Sequence, residues 1–322
     1  DYEAAKEIVA YVITESPSEN FKLQARHLLL KLELEVVEPK EYGQIAKDFE
    51  TLLQDYGRGI ETLNIQIDYA NFLAFKMEEK DQAVEMLKSL SEVTQTNFEK
   101  ATVKMALADI LVVQEKFNEA LIYYSQIQNL VKNDEIAQDA RFKVAKTSYY
   151  KGDFEWAKTQ LDILKSSTSQ LIANDAMELS LLIEDNSLED STQTALKQFA
   201  KADLLAFQNK NKEAISLLSL LIENHRGEKI EDEALLSQAK LLEAEDKFTE
   251  AEANYLQIIE AFGKDILADN AHYFLAELYA NELSEPDKAK TYYEQIIFNF
   301  ANSIYFVEAR KKYRRLRGDD LE

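Results

Sequence analysis

Apolar positions recur along this chain at three- and four-residue spacing, in short runs that stop and restart. Residues 138–164, QDARFKVAKTSYYKGDFEWAKTQLDIL, show one cycle. Phe142, Ala145 and Tyr149 share a helical face, Gly152-Asp153 breaks the run, and Phe154, Ala157, Leu161 and Leu164 resume it. The pattern predicts a hairpin of two short amphipathic helices. Neither helix buries its whole apolar face inside one hairpin, so each hairpin must stack on the next.

The cycle repeats. Alanines twelve apart occur at Ala108/Ala120, Ala145/Ala157, Ala202/Ala214 and Ala239/Ala251, and Ala276/Ala289 is one residue longer. Pairs step by 37 residues, from 108 to 145, 202 to 239 and 239 to 276. Counting back from 108 places Asn71 and Ala83 as the preceding pair, with Ala46 at the second position of the pair before. Small residues at these places let two helices approach closely where they cross. From Ala145 to Ala202 the step is 57, so a helix is inserted; 171–183 supplies it, followed by an acidic loop over 184–190. One helix added to a two-helix rhythm either bends the stack or is a neutral insertion. After the last pair, 303–317 has no partner helix and is expected to cap the stack.

With these residues in place, the chain resembles the tetratricopeptide repeat family. The family's small eighth position matches Ala108, Ala145, Ala202, Ala239 and Ala276, and its small twentieth matches Ala83, Ala120, Ala157, Ala214, Ala251 and Ala289. Its twenty-fourth matches Leu87, Tyr124, Leu161, Leu218, Tyr255 and Tyr293, and its twenty-seventh Leu90, Ile127, Leu164, Leu221, Ile258 and Ile296. The period departs from the family's, which is about 34, and the early aromatic and terminal Pro are mostly missing. The resemblance covers roughly 20–302. It implies an all-α, right-handed α-solenoid of stacked helix–turn–helix hairpins with a C-terminal capping helix. The organisation expected is a trailing helix of an upstream repeat over 1–19, an array over 20–169 and an extra helix with acidic loop over 170–190. A second array follows over 191–302, then a basic capping helix and tail over 303–322.

Composition narrows the picture. Apolar residues make up 46% of the chain, enough for a packed interior, so a disordered chain is excluded. Seven Gly and three Pro are too few for an all-β fold with many tight turns. Net charge is −22, which repels phosphate backbones and argues against nucleic acid as a partner. The absence of Cys removes disulfides, thiolate zinc sites and cysteine catalysis, and is compatible with an oxidising compartment. No stretch has the ~20 apolar residues of a membrane helix. The chain begins at Asp1 without Met, in a segment that reads like the middle of a repeat, so an upstream signal or lipid-attachment segment stays open.

No chemistry stands out. His27, His225 and His272 are isolated, and neither a phosphate-cradling glycine loop nor a nucleophile elbow occurs. No catalytic residue, metal site or cofactor is expected, and the chain reads as a non-enzyme. In proteins that look like this one, the first helices of the hairpins line a concave groove that holds a partner segment. Carrying that register over gives Phe75, Met105, Asp109, Phe142, Lys146, Tyr149, Tyr150, Phe199, Asp203, Phe207, Lys240 and Tyr273 as partner-binding candidates. Phe72 falls at a ninth position in the same count. About half of the aromatics are expected to pack between hairpins instead. The family's carboxylate clamp, with Lys and Asn at its fifth and ninth positions, is absent.

The C-terminal helix carries Arg310, Lys311, Lys312, Arg314, Arg315 and Arg317. Such a run either complements a helix C-terminus or forms a docking patch (Arg310, Lys311, Arg314, Arg315, Arg317) for an acidic partner or anionic lipid. Residues 300–310, FANSIYFVEAR, resemble repeat ends of bacterial envelope lipoproteins, and the Tyr/Phe/Asn/Lys/Glu-rich composition suits a Bacteroidota-type source. The expectation is a protein-interaction scaffold in the periplasm or on the periplasm-facing outer membrane, peripherally held through an upstream anchor. A cytoplasmic adaptor that reads a peptide motif is the alternative.

Overall fold

A computed structural model describes residues 2–132, 134–167, 169–187 and 192–319. Among the described residues there are seventeen α-helices, two short 3-10 turns and no strand. The chain divides into two compact units, Asp1–Met177 and Glu178–Glu322. Unit 1 holds α1 (Tyr2–Glu15), α2 (Glu19–Val36), α3 (Tyr42–Tyr56), α4 (Leu63–Phe75) and α5 (Lys80–Val93). It continues with α6 (Asn97–Val113), α7 (Phe117–Leu130), α8 (Glu135–Lys151) and α9 (Phe154–Leu164). The unit boundary falls inside α10 (Gln170–Ser187). Unit 2 holds α11 (Thr194–Phe207), α12 (Asn211–Asn224), α13 (Ile230–Ala244) and α14 (Phe248–Ala261). It ends with α15 (Ala268–Asn281), α16 (Pro286–Asn299) and α17 (Phe306–Arg317).

Consecutive helices pack in both units. In unit 1, α4 pairs with α5, α6 with α7 and α8 with α9, while α7 also meets α8 and α4 meets α6. In unit 2, α11 pairs with α12, α13 with α14 and α15 with α16, and α16 then packs on α17. This is serial hairpin stacking. The small-residue pairs explain it: Ala108, Ala120, Ala145, Ala157, Ala214, Ala239, Ala251, Ala276 and Ala289 are completely buried. Each sits where two helices cross, and a larger side chain would hold the axes apart. Behind them Leu87, Tyr124, Leu161, Leu218, Tyr255 and Tyr293 close the core, all essentially without solvent contact. Full burial of one such leucine is worth about 2 kcal/mol.

The hairpin turns share one device. A residue with left-handed φ lies five positions before the second small residue at Glu78, Glu115, Gly152, Asn209, Asp246 and Ser284. The amide after it reaches back to a carbonyl of the first helix, as in an αL helix end. In four turns that bond spans five residues, for example Lys116 N to Leu111 O at 2.9 Å and Lys247 N to Leu242 O at 2.8 Å. In two turns it spans six: Glu79 N to Leu73 O and Glu285 N to Tyr279 O, both 2.8 Å. The longer turn accounts for the wider spacing of Ala276 and Ala289.

It also corrects the first pair. Counting back by 37 gives Asn71, but the buried small residue is Ala70, with no exposure, and Ala70/Ala83 has the same extra residue as Ala276/Ala289. Asn71 therefore occupies the groove-facing ninth position. Phe72, assigned there by the count, is a core residue packed on Phe49 and Tyr42.

Two further expectations shift. The extra helix extends to Ser187, so 184–187 of the supposed acidic loop is helical, and 188–190 lies outside the described residues. Asp1 and 320–322 lie outside them as well. The final helix begins at Phe306, because the hydroxyl of Ser303 accepts the Tyr305 amide at 3.1 Å and holds 303–305 in a turn.

Candidate functional site

In unit 1, α2, α4 and α6 line a groove of about 460 Å³. Leu34, Phe72 and Phe75 supply its apolar surface, and Lys31, Glu35, Asp68, Asn71, Lys76 and Asp109 its polar surface. Two of the carboxylates are already matched. Asp68 Oδ2 lies 2.8 Å from His27 Nε2 and 3.8 Å from Lys31 Nζ. Asp109 accepts from the Tyr124 hydroxyl at 2.5 Å and from Lys143 Nζ at 2.8 and 2.9 Å. Burial, reinforced by Asp109, pushes the Tyr124 hydroxyl well above its ordinary range. Burial alone would lower Lys143, but the charge and hydrogen bonds of Asp109 more than reverse it, so the ammonium is held above its usual value. The side-chain amide of Asn71, by contrast, makes no hydrogen bond to the described residues. The groove thus has an apolar floor, balanced walls and one uncommitted amide.

On α8, Lys146 Nζ lies 5.1 and 5.4 Å from the ring centroids of Tyr149 and Tyr150, within cation–π range. Unit 2 repeats the arrangement on its own first helices. Lys240 Nζ stands 4.6 Å over the Phe274 ring. Tyr273 stacks on Tyr305 at 4.3 Å, with Lys312 Nζ 5.7 Å from its centroid. Glu277 accepts from the Tyr293 hydroxyl and from Lys312 Nζ at 2.7 Å, the counterpart of Asp109 with Tyr124 and Lys143.

No protein-family model matches the chain, and no curated protein does. Solved structures do. One is the apo form of RapI, with 11% identity over 98% of this chain and 91% of that one, at a TM-score of 0.44. Another is a Rap protein complexed with Competence and Sporulation Factor, with 16% identity over 98% and 91% and a TM-score of 0.41. A tetratricopeptide repeat protein from Parabacteroides merdae matches at 11% identity over 91% of this chain and 99% of that one, with a TM-score of 0.38. The hairpin geometry itself carries the fold. The chain is a helical repeat array, similar to tetratricopeptide repeat proteins.

Placed on this array, the candidate residues separate by position. Thirteenth-position aromatics Phe75, Tyr150 and Phe207 are part-exposed on the first-helix face. Tyr149, one position earlier, has no exposure and belongs to the core. Met105 and Phe199 are also buried, at fifth positions that point between helices. These three are corrections to the surface expected from the register. Phe142, Lys146, Asp109, Asp203 and Tyr273 remain half-exposed, and Lys240 is exposed. Within unit 1 the groove brings Phe75 and Asp109 together and adds Lys31, Leu34 and Asn71, which the register missed. Helix α2 lies outside the run of paired alanines: the 37-residue step from Asn71 reaches Leu34, but no small residue stands there to mark the helix, and nothing in the period pointed to Lys31. Lys143 and Lys312 carried a readable signal: each comes about one repeat after its acid.

The basic run is not one patch. Lys312 turns inward to Glu277, and Arg314 and Arg317 share Asp319, with Arg317 Nε 2.8 Å from its Oδ1. Arg310, Lys311 and Arg315 stay exposed.

Unit 2 also holds an acidic helix start, Glu231-Asp232-Glu233, at the end of α13 where the helix dipole favours anions. Burial first, then neighbouring carboxylates including those of Asp265 and Asp185, pushes Asp232 up to about 6. Burial, then Asp232, Glu178 and Asp185, pushes Glu233 up to about 8. Among the described residues, no group of three or more His, Asp or Glu could hold a metal ion, and no helix is long and apolar enough to cross a membrane.

Proposed function

We propose that this chain is a non-catalytic protein-interaction scaffold that holds an extended segment of a partner protein on the first-helix face of unit 1, within an assembly of the bacterial cell envelope. The groove of α2, α4 and α6 carries the reading. Its Phe72, Phe75 and Leu34 surface suits one apolar side chain of a partner, and its volume is that of a small binding cleft. Asn71 can donate to a backbone carbonyl and accept from a backbone amide of the same segment. Because Asp68 faces Lys31 and Asp109 pairs with Lys143, the groove selects by shape and backbone rather than by a single strong charge. Asp68 and Asp109 are tied to His27, Lys31, Tyr124 and Lys143, an arrangement that favours holding a partner over reacting with it.

The envelope setting is supported by the likeness of 300–310 to repeat ends of envelope lipoproteins, and a chain without cysteine is compatible with it. Two experiments separate the parts of the proposal. Affinity capture of the full-length protein, with partners identified by mass, should lose its main partner on Phe75→Ala with Asn71→Ala, by about 30-fold in affinity if Phe75 is the anchor. Unchanged recovery would remove the groove from consideration. Fractionation should find the full-length protein with the envelope. Recovery in the cytosol would favour an adaptor instead and leave the groove standing.

A further inference from the structure

The last helix is docked in an unusual sense. Its inward contacts are made by polar and aromatic groups: Lys312 on Glu277 at 2.6 Å, the Tyr313 hydroxyl on Glu294 at 3.0 Å, and Tyr305 on Tyr273 and Asn270. Ala309 is the only residue of α17 that is fully enclosed. An apolar surface of the same corner faces solvent. Ile304 is 81% exposed, Val307 76%, and Phe298, at the last turn of α16, 74%. Burial would favour placing these three inside, yet they are exposed around the turn from α16 into α17.

Cations continue from them along one helix face. Val307, Arg310, Lys311 and Arg314 lie at three- and four-residue spacing, so they stand in a row, with Arg315 beside it. Among the described residues Arg310 and Arg315 form no ion pair, Lys311 reaches Glu308 only at 4.0 Å, and Arg314 is held by Asp319. In a chain of net charge −22 this is a local reversal of sign.

We propose that the α16–α17 corner of unit 2 is a membrane-surface contact, in which Ile304, Val307 and Phe298 enter the headgroup boundary of an anionic phospholipid bilayer while Arg310, Lys311 and Arg315 engage its phosphates. A protein partner would need matching pockets for three protruding side chains. A fluid interface accepts them without any, and aliphatic groups adjoining cations are the composition that binds such an interface. The contact is independent of the groove in unit 1.

The test is co-sedimentation of the full chain with vesicles of phosphatidylcholine alone and of phosphatidylcholine mixed with phosphatidylglycerol, at low salt. The protein should sediment with the anionic vesicles only and be released by salt. Replacing Arg310, Lys311 and Arg315 by Gln together should lower partitioning about 100-fold, at about fivefold per cation. Ile304→Ser with Val307→Ser should lower it by about tenfold or more. Circular dichroism and melting temperature should match the parent in both variants, since none of the five side chains is buried. No sedimentation with either vesicle, equal sedimentation with both, or undiminished binding by either variant would overturn the proposal. Binding to polyglutamate without binding to vesicles would also overturn it, in favour of an acidic protein.

Discussion

Asp109 in unit 1 and Glu277 in unit 2 occupy the same place in their repeats, and each gathers a tyrosine from its own hairpin and a lysine from the next first helix. The partners are Tyr124 and Lys143 in one case, Tyr293 and Lys312 in the other. The separations are 15 and 34 residues around Asp109, against 16 and 35 around Glu277. The single added residue is the longer turn at Ser284, absorbed without loss of the contact. Glu in place of Asp keeps the same reach. The two regions part company just after the lysine. Lys143 stands two residues before Ala145, which admits a second helix, whereas Lys312 stands two before Arg314. Ala140 and Ala309, both fully buried, match as well. Helix α17 is therefore a first helix in register, with Arg314 at the position that a small residue holds in the other first helices.

The comparison breaks most sharply at that position. Ala276→Leu should destabilise the protein by about 3 kcal/mol, because the side chain enters a crossing with no free space. Arg314→Leu should change stability by less than about 0.5 kcal/mol, since among the described residues no helix crosses there. Urea unfolding monitored by circular dichroism checks both. A large cost at both sites would mean that α17 is packed on two sides.

The next effect tests the shared acid. Asp109→Ala leaves a buried tyrosine hydroxyl and a largely enclosed ammonium without their acceptor, and should cost about 2 kcal/mol. Adding Lys143→Met should recover about half of that, since the lysine then carries no uncompensated charge. Glu277→Ala with Lys312→Met should behave alike, with a smaller coupling because Lys312 is shielded only from one side. Additive effects in both pairs would show that the contacts are incidental.

These pairs also show how far the sequence could be read. Paired alanines were legible because sterics at a helix crossing tolerate little else, and the core residues after them came at fixed spacing. The face of each aromatic was not. Tyr149 and Tyr150 differ by one position, about 100° around the helix, which decides between core and groove. The first hairpin was misplaced because one extra turn residue lies between Ala70 and Ala83, and a fixed step of 37 hides it. The groove itself depends on α2, whose residues carry no small-residue pair at all. Helix α10 outran its apolar pattern, since its acidic last turn carries no helix stop.

A pH effect separates unit 2 from unit 1. Unfolded, the carboxyls of Asp232 and Glu233 titrate near about 4. Folded, they hold their protons up to about 6 and about 8. Between those limits the folded chain keeps protons that the unfolded chain has released, so stability falls as pH rises through the window. Stability should therefore fall from about pH 5 to about pH 8, and Glu233→Gln should remove most of that slope. A slope unchanged by Glu233→Gln would place the titrating group elsewhere. Asp109→Asn in unit 1 provides the control, since it leaves these carboxyls untouched.

The smallest effect reads the turns. Six hairpins need a left-handed residue, and only that of α8 and α9 supplies glycine, Gly152 at φ 81°. Gly152→Ala should cost about 1 kcal/mol, because a Cβ is disfavoured in that conformation. Replacing Glu115 or Ser284 by Gly should raise stability by about 0.5 kcal/mol, the relief from φ 58° and 56° less the greater freedom of an unfolded glycine. Asn209→Gly should gain less, since Asn tolerates this region better than Ser or Glu. The longer turn gives Ser284 a further diagnostic value. Deleting it should shorten the Ala276/Ala289 spacing to that of the pairs starting at Ala108, Ala145, Ala202 and Ala239, and force Glu277 and Tyr293 out of register. A deletion that left stability unchanged would mean the added residue is slack, and the matched contacts around Asp109 and Glu277 would then have to arise without it.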